Sequence, residues 1–283
     1  MQDETAQSAE PAQEAFSPPD PRDPRAGRGR SRALAALGVF GELLITLGLV
    51  LGLFVAYSLW WTNVQADRSA SEAADRLRSS WAAGPDPGPS AAPGAAPAPG
   101  ASGAPGGPGA PPASASRQFA VGADVGFLHV PAMGRDFQVL IRMGTSTEVL
   151  DDGVAGVYEQ PYRAAMPWDQ EGNFALAAHR DGHGAKFHAL DAVRQGDAVV
   201  VETQDKWYVY KVDSTLAETS KYDTGIVAPV PARSGYAGPG RYITLTTCTP
   251  VYTSRYRMAV WGSLVRVDDM DAKRTPPPEL RHS

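Results

Sequence analysis

The feature that most constrains this chain is an uninterrupted apolar run from Leu43 to Trp61, LLITLGLVLGLFVAYSLWW. A helix of these nineteen residues would rise about 28 Å, close to the hydrocarbon thickness of a bilayer. The run is longer than the core of a cleaved signal peptide, which spans about 7 to 15 residues, and no A-x-A cleavage site follows it. The sequence therefore predicts a transmembrane helix that stays attached, with Trp60 and Trp61 in an interfacial aromatic belt.

The charges that flank this run predict its orientation. Four arginines and no acid lie close together on its N-terminal side, whereas arginines and acids are mixed between residues 67 and 78 on the other side. Cytoplasmic flanks of membrane helices carry the excess of basic residues. We therefore expect a single-pass protein of the cell membrane with a cytoplasmic N-terminus and an extracellular C-terminal region. The four arginines are Arg25, Arg28, Arg30 and Arg32.

Composition divides the rest of the chain into segments. The N-terminal tail is too polar and proline-rich to bury a core. A later stretch of ten prolines, eight glycines and one charge is typical of a flexible, partly extended tether. We expect a disordered cytoplasmic tail (1–32), a transmembrane anchor (33–61), a juxtamembrane stalk that prolongs the helix or forms a separate amphipathic segment (62–83), a linker (84–116), a folded domain (117–268) and a disordered C-terminal tail (269–283).

The folded domain has a mainly β pattern. Short runs rich in Val, Ile, Tyr, Trp and Thr alternate with turn residues. The connections are too short for repeated βαβ crossovers, so we expect an all-β domain of seven or eight mostly antiparallel strands, closed into a barrel, with short helices. The strand candidates are 125–130, 136–143, 173–179, 197–203, 206–219, 241–248 and 255–267, and the helical candidates are 145–158 and 186–194.

Charge and cysteine content narrow the function. A net charge of -5 without a basic face argues against nucleic-acid binding. Cys248 is the only cysteine among 283 residues, so an intramolecular disulfide is excluded. A lone cysteine most often packs as a small apolar side chain. Here it ends a β run just before Thr249 and Pro250, which places the thiol near the rim of a sheet and favours a reactive role.

A nucleophilic thiol needs a histidine partner and a cation for the negative charge that develops on a carbonyl oxygen. His179 ends the run NFALAAH and so shares the strand-end position of Cys248, whereas His129 and His282 lie elsewhere. His183 and His188 follow His179 at spacings that are compatible with a metal site. No carboxylate lies at ligand spacing near these histidines, so we expect no bound metal. Two arginines, Arg255 and Arg257, open the next run, and spacing alone does not choose between them.

The stretch TLTTC (244–248), with an arginine nine residues after the cysteine and an upstream histidine at a strand end, resembles the signature of sortases. The resemblance implies an eight-stranded sortase-type β-barrel. It implies that Cys248 is the nucleophile, His179 the general acid/base and Arg257 the oxyanion-stabilising arginine, with Arg255 in reserve. It also places Thr247 among the substrate-binding residues.

The TLTTCTP form and the Ala-, Pro- and Arg-rich composition are most similar to class E, the housekeeping sortases of high-GC Gram-positive bacteria. The resemblance implies cleavage of an LPXTG-like pentapeptide of the LAXTG type between Thr and Gly. A thioacyl intermediate then passes to a peptidoglycan precursor amine, without a cofactor. No acidic cluster suggests calcium. Two alternatives stay open: a membrane-tethered cysteine peptidase or amidase, and a non-catalytic wall-binding β-barrel.

Overall fold

The structure is a computed structural model that describes residues 24–83 and 119–281. The described residues divide into two compact units, one ending at Tyr57 and one beginning at Ser58. A single helix, α1, spans Pro24–Ala82. Its part from Ala36 onward is long and apolar enough, by length and composition, to cross a membrane.

Helix α1 extends beyond the predicted anchor at both ends. It begins at Pro24, inside the stretch 1–32 that was expected to be disordered. Proline is favourable at the first position of a helix, and the alanines and arginines that follow are good helix formers. The rest of that tail, residues 1–23, and the linker 84–116 lie outside the described residues.

The juxtamembrane residues 62–82 continue α1 as a helix, which is one of the two forms expected for the stalk. One face of this segment is buried at helical spacing, through Ala66, Ala70 and Ala73. Ala73 packs in a cluster with residues of the folded domain that include Phe127 and Leu140. The stalk is therefore part of the second compact unit and packs against the folded domain.

Eight strands form a closed barrel in the order β1-β2-β3-β4-β7-β8-β6-β5, which confirms the predicted fold class. Inward and outward positions alternate along each strand, and large apolar side chains at the inward positions fill the interior of the barrel. The strands are β1 (Asp124–His129), β2 (Gln138–Met143), β3 (Ala155–Val157), β4 (Gly172–Ala177), β5 (Ala198–Glu202), β6 (Lys206–Ser220), β7 (Arg241–Thr249) and β8 (Tyr256–Asp269).

Two of the strand pairings are parallel, namely β2 with β3 and β4 with β7, and the others are antiparallel. Strand β3 was absent from the predicted set because three residues are too short to give a periodic signal. Short helical pieces lie where helices were expected, α2 at Thr147–Leu150 and a 3-10 turn at Leu190–Ala192. The parallel pairing of β4 and β7 matters most, because it brings the C-terminal ends of both strands to one rim.

The C-terminal tail is folded against the barrel as far as Arg281, whereas the sequence suggested disorder from residue 269 onward. Met270 and Leu280 pack against a cluster of buried side chains on β5 and β6. Glu279 receives two hydrogen bonds from Arg266. Arg274 donates to the buried Glu202 at 2.8 Å. Composition alone missed these contacts because the partners lie far away in the sequence.

Candidate active site

The register between β4 and β7 brings the predicted histidine and cysteine to the same level. Each partner on β7 is 69 positions after its partner on β4, from Gly172 opposite Arg241 to Ala177 opposite Thr246. Ala178 continues the pattern by donating its N–H to the Thr246 carbonyl. Cys248 is the position that this offset of 69 relates to His179, which lies two residues beyond the end of β4.

Strand β8 adds the predicted arginine from the other side of β7. Arg257 lies directly opposite Cys248 in the antiparallel register, a position in which Cβ atoms stand about 4.5 to 5.5 Å apart. The Arg257 guanidinium donates to the backbone carbonyls of Ser254 and Tyr256 at 3.2 and 3.0 Å. Arg255 is exposed, precedes the start of β8 and lies 6.0 Å from the Tyr256 ring. The register therefore favours Arg257 over Arg255.

Alternation along β7 separates the residues around the thiol into two faces. Leu245 and Thr247 share the inward face, and the Thr247 hydroxyl donates to the Ala178 carbonyl at 2.7 Å. Thr244, Thr246 and Cys248 share the outward face. Thr247, which the sequence resemblance placed in substrate binding, is here engaged with the β4 backbone, and its assignment stays a prediction.

Thr246 is a residue that the sequence analysis did not single out. It is 1% exposed, and its hydroxyl has no hydrogen-bond partner among the described residues. A buried hydroxyl without a partner costs about 1 to 3 kcal/mol and is uncommon in folded proteins. Thr246 lies two residues before Cys248, so this buried hydroxyl is on the same side of the sheet as the thiol.

His179 is oriented by a carboxylate. Its Nε2 lies 2.9 Å from Oδ1 of Asp151, which follows α2. His183 Nδ1 lies 3.5 Å from the same oxygen, and the two imidazole rings are 5.3 Å apart. This contact with Asp151 fixes the ring plane of His179. No spacing pattern in the sequence indicated Asp151 as the partner.

The other histidines are placed away from this pairing. His188 Nδ1 lies 2.9 Å from the carbonyl oxygen of Arg180. His129, on β1, lies 2.9 Å from Glu202. His282 lies outside the described residues. Among the described residues there is no group of three or more His, Cys, Asp or Glu side chains arranged to hold a metal ion.

Arg180 is a second residue that the sequence analysis missed. It follows His179 directly, and its side chain is buried and turned inward. There its guanidinium contacts the Thr249 hydroxyl at 3.2 Å and Asp191 at 3.0 Å. Consecutive residues at this strand end thus point to opposite sides, so that Arg180 ties the end of β4 to the end of β7.

Tyr158 lies just after β3. Burial raises the pKa of its phenol, while the positive charge of Arg257 acts to lower that pKa. The net pKa is raised, so the phenol stays protonated at neutral pH.

A cavity of about 530 Å³ lies at the other end of β4, near Gly172. Its walls come from the β3–β4 connection, including Arg163 and Trp168, and from the β6–β7 connection, including Pro229 and Val230. The β6–β7 connection also covers the outward face of the sheet between cavity and rim, where Asn173 donates to the Ala228 carbonyl. The cavity and Cys248 therefore lie toward opposite ends of the β4–β7 pair, with this connection on the sheet between them.

Comparison with known proteins identifies relatives across most of the chain. Residues 128–265 match the sortase domain family. Sortase SrtE2 of Streptomyces coelicolor is 52% identical over 266 residues, covering 90% of this chain and 94% of that protein. Sortase SrtE1 of the same organism is 43% identical over 235 residues, covering 82% of this chain and 58% of that protein.

Solved structures agree with these relatives. The crystal structure of sortase E1 from Streptomyces coelicolor, with a tripeptide in the active site, is 45% identical and matches with a TM-score of 0.53, covering 56% of this chain and 96% of that one. Sortase E from Streptomyces avermitilis is 34% identical with a TM-score of 0.52, covering 58% of this chain and all of that one. The resemblance that TLTTC suggested is confirmed.

Proposed function

Because the chain belongs to the sortase family of cysteine transpeptidases, and within it to class E, we propose that it attaches proteins bearing a C-terminal sorting pentapeptide to a cell-wall amine. The observation that supports this proposal is the strand register, in which Arg257 is opposite Cys248 and the β4–β7 offset relates His179 to Cys248. A nucleophile, an acid/base group and a cation in this arrangement supply what acyl transfer requires.

In the first step, the thiolate of Cys248 attacks the threonine carbonyl carbon of the Thr–Gly bond. A carbon–sulfur bond forms, and negative charge collects on the carbonyl oxygen, where the Arg257 guanidinium stabilises it. The carbon–nitrogen bond then breaks, and His179 donates a proton to the departing glycine amine. Asp151, 2.9 Å from the imidazole, keeps the ring oriented through both proton transfers.

In the second step, an amine of a peptidoglycan precursor attacks the thioester carbonyl. His179 removes a proton from the attacking amine, the new amide bond forms, and the carbon–sulfur bond breaks to release the thiolate. The two steps exchange one amide for another, so no cofactor is needed. Arg257 serves the oxyanion of both tetrahedral intermediates, because the same carbonyl carbon reacts each time.

The sorting pentapeptide would bind along the outward face of β4 and β7. The path along β7 from Arg241, which is opposite Gly172, to Cys248 is seven positions long, or about 23 Å, whereas five extended residues span about 17 Å. A bound pentapeptide would therefore cover only the part of this path next to Cys248. The floor of this path is made of small side chains, Ala177 on β4 and Thr246 on β7 among them, so an extended chain can approach closely. The unpaired hydroxyl of Thr246 would gain a partner from the bound peptide. We assign the LAXTG type of signal on the similarity to class E.

The decisive experiment uses the full-length chain in detergent with peptides that contain LAXTG or LPXTG, with and without triglycine as the amine. Transpeptidation gives a product joined to triglycine through a new amide bond, which mass spectrometry identifies. A preference for LPXTG would contradict the LAXTG assignment. Hydrolysis that is unaffected by triglycine would favour the cysteine peptidase or amidase. No product and no adduct at Cys248 would favour the wall-binding barrel.

Thr246→Val tests the peptide path, because valine keeps the shape of threonine and removes only the hydroxyl. We expect the melting temperature to stay the same or to rise, since a buried unpaired hydroxyl is lost. We also expect kcat/KM for the peptide to fall about tenfold, since a hydrogen bond to the substrate is lost. Unchanged kcat/KM would remove Thr246 from the peptide path.

We also propose that α1 anchors the protein in the cell membrane with the N-terminus in the cytoplasm. The length of the apolar helix and the arginines before it support this orientation. Protease treatment of intact cells tests it with two epitope tags, one at each terminus. Loss of the C-terminal tag alone is expected, and loss of the N-terminal tag alone would reverse the orientation.

A further inference from the structure

The juxtamembrane segment of α1, residues 62–82, contacts the two loops that carry the catalytic histidine and its carboxylate partner. We call the residues 151–154 after α2 the Asp151 loop, and the residues 179–188 after β4 the His179 loop. Asn63 Oδ1 accepts a hydrogen bond from the Gly184 N–H at 2.9 Å. Asp67 Oδ1 accepts one from Lys186 Nζ at 2.7 Å. Both contacts join the helix to the His179 loop across about 120 residues of sequence.

The same helix packs closely on the Asp151 loop. A Cβ added at Gly153 would lie 3.2 Å from the Cβ of Ala66 and 3.1 Å from its carbonyl oxygen. A Cβ added at Gly184 would lie 3.0 Å from the Asp67 carboxylate and 3.6 Å from Gly153 Cα. Small residues on both sides therefore let the helix and both loops meet at backbone distance.

The His179 loop requires such support because its backbone is strained. Four successive residues have positive φ: Gly182 at 64°, His183 at 45°, Gly184 at 78° and Ala185 at 43°. Glycine adopts this region freely, but each residue with a side chain costs about 1 to 2 kcal/mol there. A strained conformation persists only when surrounding contacts hold it, and Asn63 and Asp67 supply two of those contacts.

The far end of the segment is held as firmly. Trp81 packs edge to face on Phe127 with ring centroids 5.5 Å apart. The Arg78 guanidinium lies 4.3 Å from the Phe127 ring centroid, and that of Arg274 lies 4.5 Å from the Trp81 ring centroid. Cation–π contacts of this kind contribute about 0.5 to 2 kcal/mol each. These contacts fix the C-terminal end of the segment on the barrel. Its N-terminal end contacts the His179 loop through Asn63 and Asp67.

We propose that residues 62–82 are a positioning element of the enzyme, which holds the Asp151 and His179 loops so that the imidazole stays oriented toward Cys248. Asn63 and Asp67 are positioning residues, since they act through their hydrogen bonds to Gly184 and Lys186 of the His179 loop. The helix that follows the predicted membrane span is accordingly part of the catalytic machinery as well as a spacer. This inference rests on the proposed function for its kinetic test only.

The kinetic test compares the full-length chain with Asn63→Ala/Asp67→Ala in the peptide and triglycine assay. We expect kcat to fall about five- to tenfold with KM for the peptide within twofold and the melting temperature within about 2 °C. The matched control is Glu72→Ala/Arg76→Ala on the same helix, whose two side chains are exposed and pair only weakly with each other at 3.9 Å. Full activity of both variants would overturn the inference.

A charge swap separates positioning from general stability. Asp67→Lys alone should lower kcat, because it repels Lys186, and adding Lys186→Asp should restore most of the loss. If kcat and melting temperature fall together and the swap restores neither, the segment has only a structural role and the inference is overturned. Alkylation of Cys248 by iodoacetamide at pH 7 gives a readout that needs no substrate. We expect it to slow in Asn63→Ala/Asp67→Ala, and an unchanged rate would count against positioning.

Cross-linking tests the docking of the helix independently of any reaction. In a Cys248→Ala background, Ala66→Cys with Gly153→Cys should form a disulfide in membrane vesicles, because the Ala66 Cβ lies 3.2 Å from the position of a Cβ added at Gly153. Gly153 has a φ of 71°, so the Gly153→Cys single variant must first show an unchanged melting temperature. Arg68→Cys with Gly153→Cys, on the exposed side of the helix, should not cross-link. Absence of the first cross-link in this folded variant would overturn the docking. An unsubstituted chain that cross-links normally but makes no triglycine product would instead contradict the proposed function.

Discussion

Two regions of this protein contain the same local contact, a histidine 2.9 Å from a carboxylate, in different surroundings. We call Cys248, His179, Asp151 and Arg257 the rim cluster. We call His129, Glu202 and Arg274 the buried cluster. In the rim cluster the His179 and Asp151 side chains are 26% and 33% exposed, whereas in the buried cluster His129 and Glu202 are 14% and 5% exposed.

The difference shows that a histidine–carboxylate pair does not by itself indicate catalysis. In the buried cluster, Glu202 is shared between His129 and Arg274, so both of its carboxylate oxygens have a partner within the protein. In the rim cluster, the imidazole belongs to a strained loop and lies at the level of a thiol. The buried cluster joins the C-terminal tail to the barrel, and the rim cluster leaves its groups available to a reacting peptide.

The largest contrast concerns the thiol, which only the rim cluster contains. We expect Cys248→Ala to abolish the thioacyl adduct and all turnover, because no other nucleophile replaces sulfur in that position. The fold should remain, since the truncation is at a rim and opens only a small cavity. Intact mass after incubation with the LAXTG peptide reports the adduct, and full turnover by this variant would refute the nucleophile assignment.

The two arginines give the next contrast. We expect Arg257→Ala to lower turnover by about two to three orders of magnitude, since loss of an oxyanion donor costs about 3 kcal/mol. Arg257→Lys should recover only part of the turnover lost in Arg257→Ala, because an ammonium group lacks the planar, forked geometry of a guanidinium. Arg274→Ala should lower the melting temperature and cost far less turnover than Arg257→Ala. Arg255→Ala should cost less than tenfold, and the reverse ranking of Arg255 and Arg257 in a turnover assay would transfer the role to Arg255.

Alanine substitution of the two histidines should affect different properties, kcat for His179 and stability for His129. His179→Ala should lower kcat by at least about 100-fold with little change in stability, since the acid/base group is lost. His129→Ala should lower stability by about 1 to 3 kcal/mol with little change in kcat, because Glu202 loses a buried partner. Chemical denaturation and turnover of the same two preparations measure both. Similar losses of kcat would mean that the clusters are not functionally distinct.

The smallest contrast is in the response to acid. Burial would raise the pKa of Glu202, but hydrogen bonds from His129 and Arg274 and their charges outweigh it, so that the net pKa is lowered. A lowered folded-state pKa adds stability above the unfolded value of about 4.3, and this stability is lost as pH falls through the lower folded value. We therefore expect the stability difference between the unsubstituted chain and Glu202→Gln to shrink below pH of about 4. A constant difference down to pH of about 2 would contradict the ionised, paired state.

The sequence predicts much of the barrel and the reactive groups for a physical reason. The strand before Cys248 is long and β-prone, and Pro250 ends it, so both the strand and the rim position follow from local chemistry. The same holds for His179 at the end of NFALAAH. Their proximity does not follow from local chemistry, because it depends on the parallel register of β4 with β7, and the family resemblance supplied it instead.

Other features could not be predicted because they depend on partners distant in the chain. Asp151 has no spacing signal that links it to His179, and Thr246 is notable only because nothing satisfies its buried hydroxyl. The stalk was expected either to prolong the helix or to form a separate amphipathic segment, and only the folded chain shows that Ala66 lies against Gly153 and that Ala73 packs with Phe127 and Leu140. The C-terminal tail was misjudged for the same reason, since Arg274 and Glu279 find their partners on β5 and β8.

Closure of the barrel has a consequence for how a peptide can be recognised. Each strand in the described barrel is paired with a neighbour on both sides, so the sheet offers no free edge to which an extended ligand could add as a further strand. Recognition must then come from side chains and connecting segments above the sheet face, and those are the parts of a fold that change most readily between relatives. Ligand preference in this scaffold can therefore diverge by loop exchange, while the pairing that aligns the reacting groups is retained.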